Sequence, residues 1–591
     1  MIKLIKVAIK IVLVLLAVLI VGCGIIYTVN RSNNIYIGLG GFISKNDTLT
    51  LTLKVDELKK LSKGAGLESI QFFIWDRRLD GLDIFLESPS GMRVELASTN
   101  SKSTDFYFNT VLSDHADSLL FAATPPYNKS YRPNQFLGWL NQTGKMKGKW
   151  KLNIANRYPA HRIGGLLYWK LKFSEHPSKT AVIEQSPLPL LVIETNQKFI
   201  NDKKRTKARL YIIERDSTGF SNLKDTATAL KTDIKIEIRG FSSVRLPKKN
   251  YSLRTIKSDK SNNNLSLLGL PADCEWILNA NCMDRSMSRN TLMYELARQL
   301  GYYSSRSRIV ELVINGQYVG VYTLNEKIKR SPERLADTDD FPKGLIIKLD
   351  TPRDKKPGWY SKHAGFDGEG YRCHFQYNYP AFIDLDSSQV LYIQQKVNAF
   401  EEAIANINDI DSLNTIVNVQ SFIDFLLLQE FSKNSDAFNL SIFLHLNKKQ
   451  QMEIGPIWDF DRALGNGISD RVRYTSGFRF AYPDRDAMHP VPMWWQNLLK
   501  KPQFKAMVKE RWKELRAGIL SENNIHFQLD SLTALIQPVQ QRNFNTWPLL
   551  GVARSNFHGD PALNTYDKEI ADLKNWMHER LLWLDKSFSA L

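Results

Sequence analysis

The segment from residue 421 to residue 467 joins an apolar run to two acidic clusters. The run Phe422–Leu428 is followed by polar residues that include Asp436 and Asn439. A strand-like stretch and a polar turn then lead to the tetrad Trp-Asp-Phe-Asp at 458–461. Carboxylates at the ends of neighbouring strands can converge on one point. Phosphoryl transfer requires such a pair, since one carboxylate orients the acceptor hydroxyl and the other holds the metal ion that screens the phosphates.

A second interpretation stays open for each of these acids taken alone. Most Asp residues in loops close turns or cap helices, and Asp436 fits that role as well. The tetrad, however, places Asp459 and Asp461 among bulky apolar side chains, where an unpaired carboxylate is costly to bury. Acids in such surroundings tend to be paired or ligated, so the tetrad favours a functional site.

Length and charge limit the class of protein. The 591 residues predict two or three domains, and a hydrophobic content of 43% allows sizeable cores. The net charge of +18 suits nucleic acid, an anionic membrane surface, or acidic and phosphorylated partners. The charge is spread along the chain, and no zinc-finger spacing or RNP-type motif occurs, so we expect no nucleic-acid partner. The four cysteines predict neither a disulfide framework nor a zinc site.

The first 34 residues carry a strong local signal. Lysines at positions 3, 6 and 10 precede an uncharged apolar run over 11–29. That run is long enough to span a bilayer, with the lysines on the cytoplasmic side. Alternatively, Ile-Val-Gly-Cys at 20–23 resembles a lipoprotein cleavage box, in which Cys23 would be lipidated. Both interpretations predict an N-terminal membrane anchor and place the bulk of the chain outside the cytoplasm, in the periplasm or at the cell surface.

Residues 35–175 are predicted to be all β. Alternating apolar stretches are separated by turn signals, which is typical of a sandwich or jelly roll. The segments at 79–96, 131–140, 148–154 and 164–173 resemble the P (Homo B) domain of proprotein convertases. The resemblance implies a β-sandwich accessory module of secreted proteins, yet no protease motif accompanies it. Asp80 and Asp83 are turn acids, and we do not expect them to bind calcium. A short linker is predicted over 176–189.

A basic turn follows in the next region, within the sequence RGFSSVRLPKKNYSLR at 239–254. Small residues and hydroxyls between two strands can lie over phosphates, with backbone N–H groups and Lys as donors. Alternation places Lys249 on the face that carries the apolar residues, so it is the first candidate for a phosphate contact and Lys248 the second. Arg239, Ser242 and Ser243 complete the predicted phosphate-binding turn. A solvated basic hairpin is the alternative.

A helix and a hairpin come next. Apolar residues at spacing four predict a helix over 288–300, and Asn315-Gly316 predicts the turn of a β-hairpin over 310–328. Glu326 ends the second strand of that hairpin. It can pair with a phosphate-binding Lys, or it is an exposed charge at the edge of the sheet. The tail from about residue 485 is predicted to be helical, with its tryptophans in the core.

Five motifs follow one another along this part of the chain: RGFSSVRLPKKNYSLR (239–254), WILNANCMDRSMSRN (276–290), VINGQYVGVYTLNEKI (313–328), FSKNSDAFNLS (431–441) and GPIWDFDRALGN (455–466). They occur in the order that is found in the spore coat protein CotH kinase family, and the chain resembles that family over about residues 185–590. The family has an atypical kinase-like fold and phosphorylates proteins with ATP and a divalent metal.

The resemblance implies roles for single residues. Asp436 matches the catalytic Asp, and Asp459 matches the metal-binding Asp that plays the role of the DFG aspartate. Asp461 is a second acid of the metal motif, with its role left open. Ordinary kinases place a metal-binding Asn where this chain has Ser441, so Asn439 is the nearer candidate for a second metal ligand. The Gly-rich loop, the HRD triplet and the DFG triplet of ordinary kinases do not occur.

The predicted fold class is therefore multidomain. An anchor or lipoprotein signal over 1–34 precedes an all-β jelly-roll sandwich over 35–175, a linker, and an α+β atypical kinase-like domain over 190–591. The predicted function is a membrane-anchored protein kinase that transfers the γ-phosphate of ATP to Ser or Thr of surface or secreted proteins, with Mg²⁺ or Mn²⁺. The alternative is a non-catalytic surface assembly or adhesion protein in which the kinase-like fold is a scaffold.

Overall fold

The computed structural model describes residues 33–591 with several gaps. The residues left out within that range are 44–47, 59–60, 63, 77–78, 99–105, 143, 157–163, 180, 228, 336–340, 366–369, 468–469, 482–488 and 553–561. The apolar run over 11–29 and the cleavage box at 20–23 lie outside the described residues.

The first part of the chain forms a β-sandwich. Its strands are β1 (Ile35–Ile43), β2 (Thr48–Val55), β3 (Gly66–Trp75), β4 (Leu82–Glu87), β5 (Arg93–Ser98), β6 (Tyr107–Leu112), β7 (Ser130–Tyr131), β8 (Gly148–Asn156) and β9 (Gly164–Ser174), with a short helix α1 (Gly138–Asn141). One sheet has the order β1-β9-β3-β6-β7 and the other β2-β8-β4-β5. Buried and less buried residues alternate along β4, as expected of a strand that packs one face against a core. Trp150 and Trp169 lie fully buried in this core.

A closed seven-stranded barrel follows. The strands in this region are β10 (Gln185–Ser186), β11 (Leu190–Glu194), β12 (Thr206–Ile213), β13 (Ser221–Asn222), β14 (Leu230–Ile238), β15 (Tyr251–Ile256), β16 (Glu275–Asn279), β17 (Ser307–Ile314) and β18 (Gln317–Glu326). The barrel order is β11-β12-β14-β15-β16-β18-β17, and β11 closes it by pairing in parallel with β17. In β14 the residues Ile234, Ile236 and Ile238 are buried and the residues between them are not. Side chains of alternate residues therefore face the inside of the barrel.

The remaining part combines a second sheet with helices. Its strands are β19 (Ile346–Leu349), β20 (Gly358–Ala364), β21 (Arg372–Tyr379), β22 (Ile442–Leu446) and β23 (Met452–Ile454), in the order β20-β21-β19-β22-β23. The helices are α2 (Arg289–Gln299), α3 (Ser387–Asn406), α4 (Ile410–Leu413), α5 (Val419–Ser432), α6 (Asp470–Arg473), α7 (Trp494–Lys500), α8 (Pro502–Ala517), α9 (Glu522–Thr546) and α10 (Tyr566–Ser589).

Helix α5 is the centre of this part. Every residue of α5 except Gln420 is buried, as expected of a helix that is apolar on most of its circumference. Asn418 caps its N-terminus by accepting a hydrogen bond from the backbone N–H of Ser421. Lys433 ends it in the left-handed region, at φ 44°. The chain therefore leaves the core at a fixed point, directly before the first acidic cluster.

The sandwich packs closely against the barrel and against helix α9. Lys249 on the barrel and Glu95 on the sandwich form a buried ion pair, 2.8 Å between Nζ and Oε1. The Arg132 guanidinium donates to the carbonyl of Asn545, at 3.0 Å. The rings of Phe136 and Trp547 lie 5.3 Å apart. These contacts include a pair of aromatic rings and a buried ion pair. The interface between the sandwich and the barrel therefore resembles a protein interior.

The predicted fold class needs correction in two respects. It began with a transmembrane or lipoprotein anchor over 1–34, whereas no helix in the described part of the chain has the length and apolar character needed to cross a membrane. It also gave the kinase-like part no closed barrel, which the structure has. The predicted localisation, membrane-anchored with the bulk of the chain extracytoplasmic, depended on that anchor and is corrected with it.

Candidate active site

Two loops carry the acidic residues that the sequence singled out. The first runs from the end of α5 to β22 and contains Asp436. The second follows β23 and contains Asp459. The loops are joined by hydrogen bonds: the Asn434 side-chain amide donates to the carbonyl of Asp459 at 2.9 Å, and the Ser435 hydroxyl donates to the carbonyl of Arg462 at 3.0 Å. The hairpin of β22 and β23 brings the loops together, because its antiparallel pairing returns the chain to its starting edge.

The three carboxylates of these loops share one electrostatic environment. Burial, reinforced by the charge of Asp459, raises the pKa of the Asp436 carboxyl to about 6. Burial and the same neighbour raise the pKa of Asp461 well above its ordinary value, and the charge of Asp436 adds to the effect. Arg462 opposes both shifts. Burial is the largest cause of both shifts and mutual repulsion of the acids adds to it, and carboxyls with perturbed pKa values of this kind are often found at functional sites.

Helix α2 holds the second loop in place. Asp459 has a left-handed backbone, φ 70°, which is unusual for a residue with a side chain. Its N–H lies 3.4 Å from the Tyr294 hydroxyl, and the ring of Trp458 stacks on Tyr294 at 5.6 Å. The next N–H, of Phe460, donates to the Asn290 side chain at 2.7 Å. Contacts on both sides of Asp459 thus maintain a conformation that the isolated loop would not favour.

Sequence reasoning missed a buried ion pair that supports the same loop. The Arg289 guanidinium lies 2.6 Å from Asp284 Oδ1 and also donates to the carbonyls of Ala463 and Leu464. Both side chains of the pair are almost completely buried. They lie in the segment 276–290, which was singled out as a motif, but nothing in the sequence indicates that Arg289 reaches across to the acidic loop. Asp284 also contributes to the raised pKa of Asp461.

Three further charged residues face Asp436 and were not predicted. Asp350, at the end of β19, raises the pKa of Asp436, whereas Arg462 and Arg479 lower it. The Arg479 guanidinium donates to the carbonyl of Ser435, directly before Asp436. Arg462 follows the tetrad and could have been proposed from that position. Asp350 could not, because its proximity depends on the pairing of β19 with β22.

The described residues form no preformed metal cage, although the candidate metal ligands carry oxygen atoms. Among the described residues, no group of three or more His, Cys, Asp or Glu side chains is arranged to hold a metal ion. Asn439 is 6% exposed, and its buried Oδ1 has no hydrogen-bond partner in the described part of the chain. Mg²⁺ usually binds through one or two carboxylates, with waters and substrate phosphates completing the shell. Asp459, Asp461 and Asn439 have the donor chemistry for that mode of binding, and their role as metal ligands stays a prediction.

Comparison with known proteins identifies the family. The family model described as CotH kinase protein matches residues 236–584, more than half of the chain. The chain belongs to the CotH kinase family. The match includes both acidic loops, helix α2 and the basic turn. No curated protein matches the chain.

Several solved structures match the chain, and one of them shows how limited such a match is. The crystal structure of a serine protease of Aeromonas sobria is 13% identical, and the match covers 24% of this chain and 27% of that one, with a TM-score of 0.13. A likeness at that level carries no argument about fold or function. The resemblance of the β-sandwich to a P domain has no support from the comparisons and stays a prediction.

The two lysines of the basic turn make contacts with groups outside the two acidic loops. Lys249 Nζ pairs with Glu95 and donates to the carbonyl of Val244 at 2.8 Å. Lys248 Nζ donates to the carbonyl of Val321 and to the Asn543 side chain, and burial lowers its pKa to about 7. Both lysines are buried, so the alternative of a solvated hairpin is wrong. A phosphate contact of Lys249 or Lys248 stays a prediction. To bind a phosphate, either lysine would have to give up the interactions just described.

Arg239 is the predicted basic residue that lies beside the acids. Its guanidinium is 5.7 Å from the ring of Trp458, and although burial lowers its pKa, the charge of Asp459 opposes that effect. The following turn contains Ser242, which is exposed, and Ser243, which is half-buried. Gly240 has φ 116°, and a Cβ there would lie 1.9 Å from the Ser243 hydroxyl, so this turn requires glycine.

Glu326 does not contact either lysine. It is fully buried, and its carboxylate lies 3.0 Å from the Arg306 guanidinium and 3.7 Å from that of Arg334. It also accepts a hydrogen bond from the backbone N–H of Arg306. The prediction that Glu326 pairs with a phosphate-binding Lys and the alternative of an exposed edge charge are both incorrect. Strand β18 is not an edge strand, because it is paired with β16 on one side and β17 on the other within the barrel.

Proposed function

We propose that this CotH family member is an atypical protein kinase that transfers the γ-phosphate of ATP to a Ser or Thr hydroxyl of a protein substrate. The observation that carries the proposal is the pairing of the two acidic loops, which share hydrogen bonds and an electrostatic environment. A kinase site needs two acids of different function at one place. Membership of the CotH family supports kinase-like chemistry in general.

In this proposal Asp436 acts on the acceptor hydroxyl. A general base works best when its pKa lies near the working pH, and a carboxyl with a pKa of about 6 is closer to neutrality than an ordinary Asp. At neutral pH it would be ionised in most molecules and able to accept the hydroxyl proton. The guanidinium groups of Arg462 and Arg479 keep the pKa from rising further.

Asp459, Asp461 and Asn439 would hold Mg²⁺ or Mn²⁺ in this proposal. A bound divalent ion would screen the charges of the ATP phosphates. The left-handed backbone of Asp459, maintained by Tyr294 and Asn434, would fix where that carboxylate presents its oxygens. Arg239, beside Trp458, would contribute a cation toward the phosphates without a change of protonation.

A scaffold without catalytic activity is the second candidate. It is favoured by one observation: Lys249 and Lys248, the expected phosphate ligands, both make buried structural contacts. In that case the kinase-like part would be a support, and the β-sandwich, with its proposed resemblance to a P domain, would bind the partner.

Phosphate transfer separates the two candidates. The purified chain is incubated with γ-labelled ATP and either Mg²⁺ or Mn²⁺, with casein as an acceptor that offers many Ser and Thr residues. The kinase proposal predicts label in casein or in the chain itself, and loss of that label in both Asp436→Asn and Asp459→Asn. The control is Asp216→Asn, a substitution at an exposed turn, which should retain full transfer. Absence of label with either metal, or label that survives both active-site substitutions, would favour the scaffold.

A further inference from the structure

A row of ion pairs on the barrel leads from Lys327 to Arg239. Lys327 directly follows β18, and its ammonium lies 3.2 Å from the carboxylate of Glu275 on the neighbouring strand β16. The Arg205 guanidinium lies 3.9 Å from the same carboxylate and 2.9 Å from that of Glu237 on β14. Glu237 is two residues before Arg239, the predicted basic residue that lies beside the acids. The row therefore ends at the candidate active site.

The end of β18 and the second acidic loop are also neighbours. Ile328, directly after Lys327, packs in one apolar cluster with Trp458, the residue before Asp459. The Arg239 guanidinium lies 5.7 Å from the ring of Trp458. Apart from Ile328, these residues are half-buried, so each keeps part of its surface accessible to a ligand. Lys327 therefore lies beside the site, although it belongs to a different part of the chain from the acids.

The ion pairs extend into a network with more cations than carboxylates. In the described part of the chain its cations are Arg205, Arg254, Arg306, Lys327, Lys329 and Arg334. Its carboxylates are Glu237, Asp273, Glu275 and Glu326. Although burial raises the pKa of Glu275, the charges of Lys327 and Arg254 lower it to about 2, so this central acid stays ionised. The network thus has an excess of positive charge, to which Arg239 adds.

Lys327 is accessible, which Lys249 and Lys248 are not. The Lys327 side chain is 35% exposed, whereas both lysines of the basic turn are buried and held by other groups. An ammonium has three N–H donors, and the contact of Lys327 with Glu275 uses one of them. Burial lowers the pKa of Lys327, and Glu275 opposes that effect by favouring the ammonium. Lys327 can therefore bind a phosphate oxygen and keep its contact with Glu275.

A polyphosphate that carries a divalent ion has the chemistry for both sides of this arrangement. Lys and Arg bind phosphate oxygens through charge-assisted hydrogen bonds. The divalent ion takes carboxylate and amide oxygens together with phosphate oxygens, and Asp459, Asp461 and Asn439 offer those groups. An acidic peptide would meet the cations but would bring no metal ion to these residues. The observations therefore favour a metal–polyphosphate over an acidic protein segment.

We propose that Lys327 is a phosphate ligand of the nucleotide site, together with Arg239, and that Lys249 and Lys248 keep their structural contacts when the nucleotide binds. This role of Lys327 rests on the proposed kinase function for the identity of the ligand, whereas binding of a metal–polyphosphate does not require transfer. An accessible lysine then supplies the cation that the two buried lysines do not.

Calorimetric titration of the whole chain with Mg-ATP and with magnesium tripolyphosphate tests this role. Lys327→Met removes the ammonium and keeps most of the side-chain length. It should weaken the binding of both ligands by about tenfold or more, the loss of one charge-assisted hydrogen bond. Lys327→Arg restores a cation at the same position and should bind both ligands more tightly than Lys327→Met does. A purely structural role would not make binding follow the charge at this position.

Lys151→Met is the matched control. Lys151 forms a comparable cross-strand pair with Glu87 on the sandwich, at 2.8 Å, and its side chain is also partly exposed. The control should bind both ligands as the wild type does. Because partly exposed ion pairs contribute little to stability, both Met variants should keep the wild-type midpoint of urea unfolding. Weaker binding by Lys327→Met would then not be a consequence of unfolding.

The outcomes separate this role from the kinase function. If the wild type binds the ligands and Lys327→Met binds them as tightly as the control does, the role of Lys327 is overturned and the kinase proposal stands. The role is also overturned if Lys327→Arg binds no more tightly than Lys327→Met. If binding depends on Lys327 but the wild type transfers no phosphate, the role stands and the kinase proposal fails. If the wild type binds neither ligand, both are overturned.

Discussion

Replacing Asp436 with asparagine should stabilise the protein at neutral pH while removing the carboxylate that the proposed transfer needs. An aspartate in an unfolded chain has a pKa near 3.8, and burial beside Asp459 raises that of Asp436 to about 6. The difference of about two pKa units corresponds to about 3 kcal/mol. Because the folded-state pKa is the higher one, the charged form destabilises the fold by this amount above about pH 6, and the cost disappears below about pH 4.

Urea unfolding at a series of pH values measures this effect. Asparagine has nearly the same shape and no charge, so Asp436→Asn should gain about 3 kcal/mol of unfolding free energy near pH 7.5, and the gain should shrink steadily toward pH 4. Asp216→Asn, in an exposed turn, should show no such gain. Added Mg²⁺ should stabilise the wild type more than Asp436→Asn, since the ion relieves the same repulsion. A variant that is less stable than the wild type at neutral pH, or a gain independent of pH, would refute this account of the site.

Three other substitutions test buried contacts of the fold by urea unfolding. Glu95→Ala should cost about 3–5 kcal/mol because it leaves the buried Lys249 ammonium without its counter-charge, and adding Lys249→Met should restore most of that loss. Gly465→Ala should cost about 1–3 kcal/mol, since the backbone there has φ 77° and a Cβ would lie 2.8 Å from the ring of Trp576. Glu430→Gln should also destabilise, because the Glu430 carboxylate lies 2.9 Å from the fully buried Arg580 guanidinium and accepts from the backbone N–H of Arg479, but burial raises the pKa of Glu430 and so makes the loss smaller than for a fully favourable pair. Unchanged unfolding midpoints would contradict these assignments.

Local patterns in the sequence predicted local structure well. The spacing of apolar residues predicted a helix over 288–300, and the structure has α2 at Arg289–Gln299. The Asn315-Gly316 pair predicted a hairpin turn, and it joins β17 to β18. Such features depend on residues close in sequence, whose backbone preferences act whatever the rest of the chain does.

Contacts between distant segments were not predictable in the same way. Alternation placed Lys249 and Lys248 on opposite faces, whereas both are buried because they precede the strand, and the sequence does not show that Glu95 would pair with Lys249. The parallel pairing of β11 with β17, which closes the barrel, likewise joins segments far apart in the chain. Periodicity tells which side of a strand is buried and not what packs on it. The acids at 436 and 459 are the exception, because a single hairpin lies between them.

The most direct test of the central claim is a calorimetric titration of Mg-ATP into the wild type, Asp436→Asn and Asp459→Asn. If the two acids serve one nucleotide site with different roles, Asp459→Asn should lose metal-dependent ATP binding. Asp436→Asn should bind Mg-ATP at least as tightly as the wild type, because one repelling charge is gone, and yet transfer no phosphate. Metal-dependent ATP binding that is equal in all three proteins, or absent from the wild type, would contradict the claim that these loops form a kinase site.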